Sequence, residues 1–289
     1  MKIHKIVKLL KTTAALAVFT IMLASCKHSY AYNSQDLYDA DWVNGDKNKG
    51  GETISLDLNS LENVHVSYTS GTFRLLPTDG EPYVNYAITS RGKNDEGARI
   101  EVLEGTKECK IIFKNSGLLE GDCEYYIDLY VPKDAIKTLK VEMQNGNAYM
   151  HGINCDKLTA GTQSGDMVMD QVDTKKAILG ATSGNIVYNG SAPSMVVDVT
   201  SGNIKAETDK MPKSLICDIT SGYVNLVFPD SEDGYKLIFT RTSGYIKSDF
   251  GREKFWTLLL KNGFTTYGDK KGLYYVDITS GKLEMNKSE

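Results

Sequence analysis

Histidine is scarce in this chain. Its 289 residues hold four, His4, His28, His65 and His151, and no two stand at metal-ligand spacing. C-x-x-C, H-E-x-x-H, a glycine-rich phosphate loop and a G-x-S-x-G elbow are all missing. Zinc, phosphate-loop and serine-hydrolase chemistry each need ligands or a base at fixed spacing, so none has sequence support. A basic surplus is missing too: 33 Lys and Arg face 37 Asp and Glu, a formal net charge of −4. Phosphate backbones are held by clustered Lys and Arg, which argues against nucleic acid as a partner. The one sustained apolar run, Thr12 to Ala24, falls short of the roughly 20 residues a membrane span needs.

That run is instead part of an export signal over residues 1–25, with Lys2, Lys5, Lys8 and Lys11 as its basic start. It ends in Leu23-Ala24-Ser25-Cys26, which resembles the lipobox of bacterial lipoproteins, where cleavage falls before the cysteine. Cys26 is therefore the expected lipidation site, and its lipid the expected link to the membrane. The signal takes four lysines and no acid with it, moving the formal charge from −4 to −8. An acidic body does not dock on anionic lipid by charge, so acyl chains would do the anchoring. Residues 26–51, with Asp36, Asp39, Asp41 and Asp46, read as a flexible tether.

Glycine is plentiful and periodic. Asn145-Gly146, Ser164-Gly165, Ser183-Gly184, Ser201-Gly202, Ser221-Gly222, Ser243-Gly244, Asn262-Gly263 and Ser280-Gly281 follow one another at intervals of 18 to 22 residues. A period in that range signals stacked coils. Around each pair, apolar residues occupy every second position, as in Met195, Val197, Val199 before Gly202 and Ile204, Ala206 after it. That alternation predicts strands with one face inside. The expectation is an all-β fold: a β-solenoid over residues 136–289, built from coils of about 19 residues. Each glycine is expected at positive φ in its corner, its serine or asparagine bonding the turn. Residues 52–135 repeat more loosely and read as a divergent β region capping the stack, because terminal units must cover the core. The 22-residue interval puts Arg241 at an apolar position, so a bulge or longer loop is expected there.

Three sets of residues are candidate sites. Cys109 and Cys123 flank an apparent hairpin, and an exported chain permits a disulfide between them. Asp198 and Asp218 stand four residues before corner glycines of neighbouring coils, so their carboxylates should face each other. Such a pair is splayed into solvent, recruits a cation such as calcium, or serves as an acid-base dyad. No other cofactor is indicated. Tyr223, Tyr245 and Phe264 directly follow corner glycines or their equivalents, and aromatic rings stacked on an edge hold sugars or protein partners.

The corners Asp198-Val-Thr-Ser-Gly-Asn-Ile204 and Asp218-Ile-Thr-Ser-Gly-Tyr-Val224 resemble the bacterial adhesin-type repeat domain of the DUF4097 family, related to β-solenoid heads of auto-transporter adhesins. The resemblance covers about residues 52–285. It implies a β-solenoid on an envelope protein and supplies no catalytic residue. Lys27 after the lipobox cysteine suggests delivery to the outer membrane. Three functions follow as readings: a non-enzymatic, lipid-anchored module binding glycan or protein; an envelope-stress or structural lipoprotein acting through protein partners; and a polysaccharide-active enzyme.

Overall fold

The structure, a computed structural model, describes residues 43, 51–90, 99–114, 123–250, 255–256 and 261–288. The chain divides into two compact units, Met1–Tyr32 and Asn33–Glu289, and every described residue belongs to the second. The export signal, Cys26 and the expected tether, except Val43 and Gly51, lie outside the described residues.

The chain is a β-solenoid. It opens with β1 (Glu52–Ser55), β2 (Asn63–Tyr68), β3 (Thr72–Pro77), β4 (Tyr83–Ser90), β5 (Arg99–Gly105), β6 (Glu108–Lys114) and β7 (Cys123–Val131). The middle holds β8 (Thr138–Met143), β9 (Asn147–His151), β10 (Asn154–Thr162), β11 (Asp166–Asp170), β12 (Asp173–Ala181) and β13 (Asn185–Asn189). It continues through β14 (Ser194–Val199), β15 (Asn203–Glu207), β16 (Ser214–Ile219) and β17 (Tyr223–Phe228). The last part comprises β18 (Tyr235–Arg241), β19 (Tyr245–Ser248), β20 (Phe255–Trp256), β21 (Asn262–Tyr267), β22 (Gly272–Ile278) and β23 (Lys282–Lys287).

Each coil places one strand in each of two facing sheets. The first sheet runs β1-β4-β7-β3-β9-β11-β13-β15-β17-β23-β19-β20; the second runs β21-β18-β22-β16-β14-β12-β10-β8-β2-β6-β5. Neighbouring coils pair in parallel, so equivalent side chains stack in rows about 4.8 Å apart. One inward row is Ile111, Val66, Val141, Ala160, Leu179, Val197, Cys217, Val276 and Phe239, all buried. Burying such a side chain contributes about 1.5–3 kcal/mol, and the rows together form the core.

Coils β8/β9 to β16/β17 stack in sequence order; the ends do not. The final coil, β22/β23, is inserted between β16/β17 and β18/β19. At the other end β6/β7 lies outside β2/β3. The outermost coils carry antiparallel strands on their outer edges: β5 on β6, β4 on β7, β21 on β18 and β20 on β19. Aromatic clusters fill both ends, Tyr68, Phe113 and Tyr125 in one, Tyr235, Tyr274 and Phe250 in the other.

The corner glycines have a different cause from the one expected. Of the eight, only Gly244 has positive φ, at 76°. At Gly146, Gly165, Gly184, Gly202, Gly222 and Gly281 the reason is crowding between coils. A Cβ on Gly165 would overlap the carbonyl oxygen of Gly146, and one on Gly222 would overlap Val199 and the Gly202 oxygen. Those carbonyls accept the next coil's amide, as in Tyr223 N–H to Gly202 O at 3.1 Å and Lys282 N–H to Gly222 O at 2.9 Å. Gly263 is no corner at all. It lies within β21, where a Cβ would press on the Phe239 ring. The 22-residue interval needs no bulge: β17 and β18 are each a residue longer than β15 and β16. Buried Arg241 holds the inward position opposite Ile278 and donates through Nη1 to the Gly244 carbonyl at 2.5 Å.

Cys109 is buried and unbridged. It sits in β6 of the second sheet, whereas Cys123 begins β7 of the first, so the two flank no hairpin. Burial, with the Glu104 charge behind it, pushes the Cys109 thiol up to about 12, as expected of an inert core cysteine. Cys155 lies in β10 and Cys217 in β16, both buried and unbridged.

Candidate functional site

Side chains on strand positions between the inward ones stand on the outer face of each sheet. On the first sheet, the row directly after the corners runs Thr72, Asn147, Asp166, Asn185, Asn203, Tyr223, Lys282, Tyr245. Its middle is a ladder of short polar side chains. Asn185 Nδ2 donates to Asp166 Oδ1 at 2.7 Å, and Asn203 Nδ2 to Asn185 Oδ1 at 2.8 Å. Burial raises the Asp166 pKa, opposed by the Asn185 hydrogen bond.

Toward the C-terminal end the row becomes aromatic. Tyr223 and Tyr245 both pair with Lys282, one on each side, because β23 lies between β17 and β19. They are therefore two strand spacings apart, about 9.6 Å, rather than on adjacent coils. Both rings are half-buried. Their hydroxyls converge on one carboxylate: Tyr245 donates to Glu284 Oε1 at 2.7 Å and Tyr223 to Oε2 at 3.1 Å. Lys282 Nζ lies 5.8 Å from the Tyr245 ring centroid, within cation–π range. Burial, then the Glu284 hydrogen bond and charge, pushes Tyr245 up to about 12. Burial and Glu284 raise Tyr223 as well. The arrangement is a carboxylate held between two phenol hydroxyls, with an ammonium near one of the rings. It can accept hydrogen bonds and offer apolar ring surface, and it holds no nucleophile with a base.

Phe264 is not part of this group. It is 71% exposed, in β21 on the opposite sheet, with Lys236 Nζ 5.7 Å from its ring. Glu284 and Lys282 were missed in the sequence, since they join the tyrosines only through the displaced coil.

Asp198, Asp218 and Asp277 do fall in consecutive register on the second sheet. Among the described residues, however, no group of three or more His, Cys, Asp or Glu could hold a metal ion. Calcium takes 6–8 oxygens around it, while one row of a sheet presents carboxylates from a single side. A cleft of about 650 Å³ beside β5 and β8 is lined by charges that pair with each other, Glu62 with Lys107 at 3.1 Å and with Lys137 at 2.9 Å.

Among solved structures, the chain is similar to a "putative lipid binding protein" of Parabacteroides distasonis (16% identity, TM-score 0.46, 82% of this chain and 96% of that one). It is also similar to a "putative adhesin" of Bacteroides fragilis (10% identity, TM-score 0.42, 81% and 96%). A "putative cell adhesion protein" of Clostridium sporogenes aligns over 82% of this chain and 98% of its own (13% identity, TM-score 0.36). No curated protein matches. Residues 81–285 match the model described as Toastrack DUF4097, and with most of its length so matched the chain belongs to that family.

Proposed function

We propose that this protein is a non-enzymatic binding module of the cell envelope, held by a lipid on Cys26, that takes a glycan or protein ligand on the outer face of its first sheet. The observation that carries the reading is the Tyr223–Glu284–Tyr245 group. A carboxylate fixed by two phenols is a preorganised acceptor for ligand hydroxyls or amides, and preorganisation lowers the entropic cost of binding. Rings flanking it supply apolar contact for a sugar face or side chain. Envelope residence rests on the export signal and the Leu23-Ala24-Ser25-Cys26 lipobox; among the described residues no helix is long and apolar enough to cross a membrane. Outer-membrane delivery rests on Lys27.

A glycan array probed with the full mature chain tests this reading against its Glu284→Ala and Tyr223→Ser/Tyr245→Ser variants. Glycan binding should fall at least tenfold in both, a loss of only about 1.4 kcal/mol. Undiminished binding in both variants would move the site elsewhere. Labelled fatty acid should enter the wild type and not Cys26→Ala.

A further inference from the structure

Three buried apolar residues stand outside the solenoid core: Val43, Val168 and Val187. Val168 and Val187 are register partners on β11 and β13, and their neighbours Met167, Met169, Ile186 and Tyr188 point inward. The two valines therefore stand on the outer face of the first sheet, yet they are 0% and 1% exposed. An outward valine loses its water only under a cover. Val43, 6% exposed and itself outside the core, needs an apolar partner of the same kind.

We propose that the outer face of the first sheet at Val168 and Val187 is a docking site for the chain's own segment carrying Val43. The geometry permits it. Thr53 of β1 lies in the same outward row as Val168, through Asn85, Asp128, Arg74 and Tyr149. Five strand spacings separate β1 from β11, about 24 Å. Eight residue steps lead from Val43, which is helical, to Gly51, and a connection of that length reaches at most about 26–29 Å when extended. A connection of that length is enough to bring Val43 to Val168, and both belong to one compact unit, Asn33–Glu289. The dock covers the half of the sheet away from Tyr223 and Tyr245, and it stands whether or not those residues bind a ligand.

Trypsin cutting at Lys47 and Lys49 in the full mature chain reads the docking. Val43→Asp and Val168→Asp should each speed cleavage there at least tenfold, and the double variant no more than the faster single one, since both break one contact. Val43→Asp leaves the solenoid core untouched, so it keeps the test open if Val168→Asp misfolds. Oxidised Val43→Cys/Val187→Cys should close a disulfide within one chain. Unchanged cleavage, independent effects of the two aspartates, or a disulfide-linked dimer in place of the internal bridge would overturn the proposal.

Discussion

The middle of the stack and its two ends solve different problems. In the middle every coil has a neighbour on both sides, and the sequence repeats with little variation: alternating apolar residues, a Ser-Gly corner, a short loop. The core there is made of small or flexible residues such as Ala160, Ala177, Met167 and Met169. At the ends a parallel edge would lie open, and open edges recruit other strands. The chain closes them by displacing a coil, covering the outermost strands with antiparallel ones and packing large aromatic rings beneath. Tyr235 and Tyr274 stack at 4.6 Å across the junction that the displaced coil creates. Repetition builds the shaft, and departure from repetition finishes it.

The largest test of that contrast is truncation at Lys271. In a stack running in sequence order this would remove one end coil. Here it removes an interior layer, with Tyr274, Val276, Ile278, Leu283 and Met285 in the core. At about 1.5–3 kcal/mol each, their loss is about 8–15 kcal/mol, comparable to the stability of a whole domain. Protease protection should vanish across 235–248 and 262–267 as well. A truncated chain in which 235–248 stays protected would refute the displaced order.

Ion pairs separate the ends next. Arg74 forms a two-pronged pair with Asp128, at 2.6 Å through Nε and 2.5 Å through Nη2, with side chains only 12% and 3% exposed. Asp128→Ala should cost about 3–5 kcal/mol, because a buried guanidinium loses its carboxylate. Lys287 and Asp230, 2.5 Å apart at the other end, are 36% and 57% exposed, and Lys287→Ala should cost under about 1 kcal/mol. Equal costs in thermal unfolding would erase the distinction.

Two glycines four residues apart sharpen the account of the corners. Gly165→Val drives a side chain into the Gly146 carbonyl and should destabilise by about 1–3 kcal/mol. Gly161 in β10 has nothing within 4 Å of an added Cβ, so Gly161→Ala should be neutral or stabilise by up to about 1 kcal/mol. A corner ladder is wrong if the two substitutions act alike.

Strands and corners could be read from the sequence because a period of two and a period near nineteen are both local signals. Stack order could not. Asp277-Ile-Thr-Ser-Gly281 has the same pattern as Asp218-Ile-Thr-Ser-Gly222, which is why the final coil fits against β16 with Asp218 opposite Asp277. That likeness hides the displacement. Asn262-Gly263 imitates a corner while lying inside an antiparallel strand, and it carried Phe264 to the wrong face. Tyr223 and Tyr245 were recognisable as outward residues, but Glu284 could join them only once β23 was known to lie between their strands. Nothing in the sequence marks Val168 and Val187, since burial on an outer face depends on what crosses it.

The smallest expected effect is the pH dependence of the tyrosine–carboxylate group. An unfolded phenol ionises near pH 10, whereas folded Tyr245 is held up to about 12 and Tyr223 is raised too. Below pH 10 both states keep their protons and this contribution to stability is complete. Between about 10 and 12 the unfolded chain sheds protons that the folded chain retains, so stability falls as pH rises. Core tyrosines contribute the same trend: Tyr235 at the C-terminal end is also held near 12 by burial, with Ser248 opposing. The group's own share must therefore be read as a difference. Glu284→Gln removes the charge that helps raise Tyr223 and Tyr245 but leaves their burial, so its melting temperature should fall less steeply above pH 10 than the wild type's. Phenolate absorbance of the folded protein should also begin at lower pH in that variant. Superimposable titrations for the two proteins would mean that Glu284 does not hold these phenols, and that burial alone sets them apart from the polar ladder in the middle of the same row.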